Sequence, residues 1–236
     1  MFISTLIDTV RQDYTRDNNS DKFAWDDKSL FRKFTEAEKQ ACNRANLIYD
    51  DSNTEYTQIT LVSGQASYSL SPKLTVIENI IFDGNVIVKK TKEEIDRLTP
   101  TWRTDTTLTG NVIYAIVSGR TIRFNRVPDA TDAGKIIYLE VYRLPDVDIS
   151  YLAQEPEIPE EHHRDLIYWV LHECYKKQDL DAFDKEEPDY NLSRFNQIFG
   201  EPVSAKVRQH QLENPKSTLI RPVSYFNKTQ TSNFDD

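Results

Sequence analysis

The sequence predicts an α+β fold: N- and C-terminal helices form a helical bundle, an antiparallel β-rich domain is inserted between them, and an extended tail follows. The apolar residues recur first at helical spacing, then at twofold spacing, and finally at helical spacing again. After that, prolines and small polar residues replace the periodic pattern. The expected division is residues 1–55 with 147–200 (helical), 56–146 (β-rich) and 201–236 (tail).

Two helices are expected at the N-terminal end. Apolar residues from Phe2 to Tyr14 recur at steps of three and four, which places them on one stripe of a first helix. An aspartate at position 26 or 27 can cap a second helix, whose apolar positions run from Leu30 to Ile48. The small residues in its second half would let another helix approach closely.

Three hairpins are expected in the middle of the sequence. Residues 58–70 alternate between apolar and polar on both sides of a glycine, and the Asp83-Gly84 pair separates two β-branched runs. Residues 112–125 form a third alternating pair with a Ser-Gly turn. These patterns predict short antiparallel strands joined by tight turns.

A short helix and a long strand complete the β-rich part. Thr91 and Glu94 have the spacing of a capping box, which predicts a helix that ends before Pro100. The run from Lys135 to Arg143 is apolar on both faces apart from Glu140. Such a strand is typical of the centre of a sheet or of a subunit contact.

Helical spacing returns from Leu166 to Tyr175, after a Pro159-Glu160-Glu161 start that suits a helix N-terminus. A second helix is expected from Asp189 to Phe199, with Pro188 in its first turn. These helices can pack on the N-terminal ones if the first and last strands enter and leave at one edge of the β-rich domain.

The tail is expected either to order on a partner or to be a merely disordered terminus. It has no core of its own, but it carries basic residues and a late apolar cluster, from which main-chain bonds and a few pockets can give affinity. The candidate partner-binding residues are Lys206, Arg208, Lys216, Leu219, Ile220, Arg221, Val223, Tyr225 and Phe226.

The formal charge of −9 disfavours a protein that coats DNA nonspecifically, because such binding needs many Lys and Arg at the phosphates. The charge is unevenly distributed. Residues 202–234 contain five basic residues and one acidic residue, a net +4, so the rest of the chain carries −13. An acidic body and a basic tail are therefore expected.

Cys42 and Cys174 each fall in an amphipathic helical pattern, which favours two reduced, buried thiols. The first ten residues lack a basic flank and contain Asp8, so no signal peptide is expected. No run of about 18 apolar residues occurs, so we expect no membrane partner and a chain that folds in a cytoplasm.

A catalytic, metal or cofactor site is not expected. His162, His163, His172 and Cys174 are close in sequence, but their spacing does not place them on one side of a helix as zinc ligands require. We expect His162 and His163 to be exposed at a helix start and His172 to be half-buried. The six glycines are too scattered for a phosphate-binding loop. An enzyme with an unrecognised site stays an alternative.

The aromatic residues allow one further alternative. Trp102 and Tyr114 could form a platform for a glycan or a receptor. Stacking platforms for nucleic acid come with basic grooves, whereas the body of this chain is acidic. Sheet core and subunit interfaces are the simpler use of such side chains.

The order of the elements resembles that of phage head-to-tail adaptor proteins, also called connector or tail-tubular-like proteins. An N-terminal helix, Trp25-Asp26-Asp27 and a helix containing Asn43-Arg44-Ala45 precede the hairpins. The stretch from Ile113 through Pro128-Asp129-Ala130 to Arg143-Leu144-Pro145 is similar to a strand, turn, strand and Arg-Leu-Pro unit of that group. The resemblance covers about residues 1–200.

The resemblance implies a structural subunit of the virion. Adaptors of this kind form a ring, commonly a homo-dodecamer, beneath the portal protein ring, and they present a platform to a downstream tail protein or a second adaptor. DNA passes through their channel without specific binding. The family's C-terminal tail grips the portal, which makes the tail residues given above the candidate portal-binding residues.

Overall fold

The computed structural model describes residues 1–15, 17, 24–105, 107–110, 112–176 and 186–213. This part of the chain contains seven α-helices and two β-sheets, so the mixed α and β class is confirmed. None of the helices within it is long and apolar enough to cross a membrane.

The N-terminal helices begin as the sequence predicts. Helix α1 (Ile3–Thr9) continues into a π-helical turn (Val10–Thr15). Helix α2 (Asp27–Ala45) is capped by Asp26, whose carboxylate accepts a hydrogen bond from the Ser29 amide at 2.8 Å. This bond satisfies a backbone donor that has no partner inside the helix.

The predicted continuation of α2 to Ile48 is wrong. Asn46 adopts a left-handed conformation with φ of 50°, which an asparagine tolerates at the end of a helix. The chain turns there, and Ile48 begins a strand instead. The apolar side chain of Ile48 is buried in either conformation, so its spacing from Leu30 did not reveal the change.

Nine strands follow in the described part of the chain. In chain order they are β1 (Ile48–Asp50), β2 (Gln58–Thr60), β3 (Ser67–Ser69), β4 (Leu74–Phe82), β5 (Asn85–Val86), β6 (Val88–Lys89), β7 (Tyr114–Ser118), β8 (Thr121–Phe124) and β9 (Ile136–Arg143). A short helix, α3 (Thr54–Thr57), lies between β1 and β2, and helix α4 (Lys92–Leu98) lies between β6 and β7.

The first sheet has β9 at its centre, as the apolar pattern from Lys135 to Arg143 predicts. Strands β1 and β2 pair with one edge of β9, β4 pairs with the other edge, and β5 extends the sheet from β4, all antiparallel. The hairpin at Asp83-Gly84 is confirmed, since Ile81 pairs with Val86 across that turn.

The second sheet has the order β3-β8-β7-β6. Its β7–β8 hairpin is confirmed by the pairing of Ser118 with Thr121. The expectation of a wholly antiparallel arrangement is wrong at β6 and β7, which run parallel. The crossover through α4 returns the chain in the same direction and so permits a parallel pair. The predicted capping box of α4, formed by Thr91 and Glu94, is present.

The predicted hairpin of residues 58–70 is wrong. Ile59 in β2 pairs with Ile137 of the first sheet, whereas Tyr68 in β3 pairs with Ile122 of the second sheet. The alternating pattern correctly marks two half-buried strands. It does not specify which strand pairs with which, because partners are chosen by long-range packing.

The described residues form two main apolar cores. Side chains from the inward faces of both sheets, such as Ile80, Leu139, Ile122 and Phe124, form one core, so the sheets pack face to face as a sandwich. Side chains of α1, α2, helix α5 (Leu166–Tyr175) and helix α6 (Glu186–Phe199) form the other. Helix α5 contacts both α2 and α6. The domain boundaries given above stay a prediction.

Candidate assembly surfaces

The first part of the predicted tail is a helix. Residues Ala205–Glu213 form α7, so the expectation of an extended segment from residue 201 is wrong for these nine residues. Leu212 is 4% exposed and belongs to the sandwich core, and α7 contacts β4 and β7. The apolar pattern of the sequence around Leu212 is weak. The helix is therefore stabilised mainly by its contacts with the body and not by an amphipathic face.

Polar contacts fix both ends of α7. The Arg208 guanidinium donates to the Asn43 side chain of α2 at 2.8 Å and to the Val203 carbonyl at 3.2 Å. The Glu213 carboxylate accepts a hydrogen bond from the Gly119 amide at 2.7 Å. Burial raises the pKa of Glu213, but this bond and one from Gln209 outweigh it, so the pKa is lowered. Helix α7 therefore joins the helical core to the sandwich.

The tail residues singled out from the sequence divide into two groups. Lys206 is exposed on α7, whereas Arg208 is partly buried and is used within the chain. A cleft of about 410 Å³ lies between α7, the end of α2 and the start of β4. The remaining candidates lie outside the described residues: Lys216, Leu219, Ile220, Arg221, Val223, Tyr225 and Phe226.

A buried arginine connects the sandwich to the helical core. The Arg143 guanidinium, on the inward face of β9, forms ion pairs with Asp50 at 2.6 Å and Glu157 at 2.5 Å. Burial alone would lower the pKa of Arg143, but the two carboxylates raise it above the ordinary value. Burial would raise the pKa of Asp50, yet amide and guanidinium hydrogen bonds lower it. The Arg143 guanidinium can be buried because both carboxylates pair with it and compensate for the loss of water.

Glu38 on α2 extends this junction. Its carboxylate accepts hydrogen bonds from the amides of Glu157 and Ile158 at 2.5 and 3.2 Å. Burial raises the pKa of Glu38 to about 7, against the opposing effect of those two amides. The segment after Arg143 is thus bonded to β9 through the side chain of Glu157 and to α2 through the amides of Glu157 and Ile158.

The sequence places Arg143 in the Arg-Leu-Pro unit of the resemblance but does not indicate its ion-pair partners. The alternation of the strand could have revealed that Arg143 is buried, since it follows Leu139 and Val141 at steps of two on the inward side of β9. An arginine at a buried position requires carboxylate partners. Asp50 is 93 residues away in sequence, and nothing local indicated it.

The outward face of the first sheet is aromatic and acidic. Tyr49 and Tyr138 are each 46% exposed, and the rings of Tyr49 and Tyr142 meet edge to face at 5.6 Å. Glu78 and Glu140 lie among them, and Glu140 accepts a hydrogen bond from Asn79 at 2.6 Å. Burial raises the pKa of both Tyr49 and Tyr142. The charges of Glu140, Asp51 and Glu78 raise the pKa of Tyr49 further, and the charge of Glu78 and its hydrogen bond raise that of Tyr142.

The expectations for the three histidines are wrong. His162 is half-buried rather than exposed, with its side chain 28% accessible. His163 is 3% exposed, and its Nε2 lies 2.8 Å from the Ile158 carbonyl, so it is a buried structural residue. His172 is 5% exposed with its Nδ1 at 2.7 Å from the Pro188 carbonyl. Cys42 and Cys174 are both buried, as predicted, and are not joined by a disulfide. No group of three or more His, Cys, Asp or Glu that could hold a metal ion occurs in the described residues.

Trp102, which was considered as part of a platform for a glycan or a receptor, is buried. Trp102 is 4% exposed, and its indole N–H donates to Asp96 at 2.8 Å. The guanidinium groups of Arg103 and Arg123 lie over its ring at 4.7 and 5.0 Å. Trp102 packs with Ile116 on the outward side of β7 and is a structural side chain.

One family model matches the chain. It is the model of the SU10 adaptor protein, and it covers residues 1–218, which include both cores and α7. A search of curated proteins found no match.

Proposed function

Because the chain belongs to the SU10 adaptor protein family, we propose that it is the subunit of a connector ring between the phage head and its tail. Membership confirms the resemblance to head-to-tail adaptors and gives the protein a structural role in a bacteriophage. The family match over residues 1–218 carries the proposal. In it, the ring binds beneath the portal protein and provides a platform for a tail protein or a second adaptor.

Residues 214–236 are the proposed portal-binding segment. Helix α7 fixes the chain on the sandwich up to Glu213, so the segment that follows starts from a defined place on the body. This segment contains the basic residues Lys216, Arg221 and Lys228 and the apolar pair Tyr225 and Phe226. Basic residues would speed and orient docking on an acidic groove, and buried apolar side chains would slow release.

The acidic body fits a channel through which DNA slides. A chain of charge −9 arranged in a ring repels phosphate, so the DNA would pass without specific binding. We propose a homo-dodecamer in the virion for this role.

Two truncations test the portal proposal. A chain ending at Glu213 keeps α7 and should fold like the full chain, yet it should no longer form a complex with purified portal rings in electron micrographs. A chain ending at Glu201 also loses Leu212 from the sandwich core, so its free energy of unfolding should fall by about 2–5 kcal/mol. Portal binding by the chain ending at Glu213 would refute the proposed role of the segment.

A double substitution refines this test. Changing Tyr225 and Phe226 to alanine should weaken portal binding by at least about 2 kcal/mol, measured by titration against the portal ring, because buried aromatic anchors dominate such interfaces. The matched control changes Phe2 and Tyr190, two aromatic residues on the helical core that are 52% and 60% exposed. Equal effects of the two pairs would contradict the assignment.

A further inference from the structure

The sandwich presents two outward faces that point in opposite directions. The inward side chains of both sheets meet in one core, so the outward side chains of the first sheet lie on one side of the sandwich. Helix α4 and the segment around Trp102 cover the outward side of the second sheet, where they pack on Ile116. A subunit in a ring contacts its two neighbours through two such unlike, opposed faces.

The acidic aromatic face is defined by Tyr49, Glu78, Tyr138, Glu140 and Tyr142 on the first sheet. Strand pairing sets Tyr142 beside Tyr49, and Tyr138 beside Ile81, so these side chains form continuous rows across three strands. Both carboxylates are hydrogen-bonded to neutral groups, Glu140 to Asn79 and Glu78 to Tyr142. These partners do not balance the negative charge; the buried Lys89 ammonium interacts with Glu78 from within the chain.

The basic face is defined by Lys90, Lys92, Arg97 and Arg123 on and around α4. Arg103 lies beside them but is ion-paired with Asp96 of α4, so its charge is used within the chain. Residues 90–126 contain seven basic and four acidic residues in a chain that is acidic as a whole. The Lys90 ammonium lies 4.9 Å from the centre of the Tyr114 ring, and Lys92 donates to the Ser118 hydroxyl at 2.7 Å. The ring and the hydroxyl are neutral partners, so they leave positive charge on the surface; the carboxylate that interacts with Lys92 is that of Glu213.

We propose that the acidic aromatic face of one copy docks on the basic face of the next copy, and that this contact closes the ring. The inference rests on the proposed ring and identifies which surfaces form it. Because the two faces carry opposite charge, the acidic aromatic face of one copy attracts the basic face of the next in a head-to-tail contact. Two like faces repel each other. The exposed Tyr138 and the 56% exposed Leu98 supply apolar area on the two sides.

Charge reversal of each face tests the contact in the full chain. Glu78→Lys with Glu140→Lys makes both faces basic, and Lys92→Glu with Arg97→Glu makes both faces acidic. Each double variant should need at least about tenfold more protein than wild type for assembly, measured by sedimentation, because like charges then face each other. Asp8→Lys with Glu36→Lys, on exposed positions of the helical part, is the matched charge control and should assemble like wild type.

Mixing the two double variants should restore assembly, because each face then meets one of opposite charge in an alternating ring. The quadruple variant should also assemble alone. Rings formed by wild type and by both double variants at the same concentration would overturn the inference and leave the proposed function standing. A wild-type chain that forms no oligomer, either alone or on portal rings, would overturn the proposed ring together with the inference.

Discussion

The two faces of strand β9 use charge in opposite ways. On the inward face, Arg143 is paired with two carboxylates and joins the sandwich to the helical core. On the outward face, Glu140 lies between two exposed or half-exposed tyrosines and is bonded to a neutral amide. A charge that is paired within the chain thus stabilises the subunit, whereas a charge bonded only to neutral groups is available to a partner.

Removing the inward charge should have the largest effect on stability. Arg143→Met leaves the buried Asp50 carboxylate and Glu157 without their cation, so the free energy of unfolding should fall by about 3–5 kcal/mol in urea titrations. Arg164→Met removes an exposed arginine and serves as the control, with a change below about 0.5 kcal/mol. A loss under about 1 kcal/mol for Arg143→Met would contradict the junction role.

The pH dependence of the junction gives a smaller effect. The pKa of Glu38 is raised to about 7 in the folded chain, so the folded state holds this proton more tightly than the unfolded state. Stability should therefore be greatest below about pH 4.5 for this group and should fall by up to about 3 kcal/mol as the pH rises to about 7. Glu38→Gln should remove this component from a series of thermal or urea unfolding curves; an unchanged pH dependence would argue against a protonated Glu38.

The outward face should show the smallest effect on stability. Tyr138→Ser changes an exposed side chain, so the free energy of unfolding of the isolated subunit should change by less than about 0.5 kcal/mol in urea titrations. The same substitution should weaken assembly in sedimentation experiments, because it removes apolar area from the proposed contact. A large loss of stability with normal assembly would show that Tyr138 stabilises the subunit and would contradict its role in assembly.

The sequence could predict elements whose cause is local. The capping box of α4 depends on two residues three apart, and the central strand β9 depends on a continuous apolar run. Both were found. The end of α2 was missed because Ile48 stays buried whether the chain is helix or strand there.

Features set by distant contacts could not be predicted. Helix α7 has one buried apolar side chain, Leu212, and is held by Asn43 and Gly119, which are far from it in sequence. The basic face depends on α4 and the β7–β8 hairpin meeting on the outward side of one sheet. The acidic aromatic face needed the pairing of β1 with β9, which placed Tyr49 beside Tyr142.

Burial of both native thiols makes the chain well suited to site-specific labelling. Cys42 and Cys174 are fully buried in the helical core, and burial raises the pKa of Cys42 well above that of a free thiol. Alkylating reagents attack thiolates that solvent can reach. A single cysteine introduced at an outward position of the sandwich should therefore carry a fluorophore in an otherwise unmodified background, and energy transfer between labelled copies would then report their mutual arrangement.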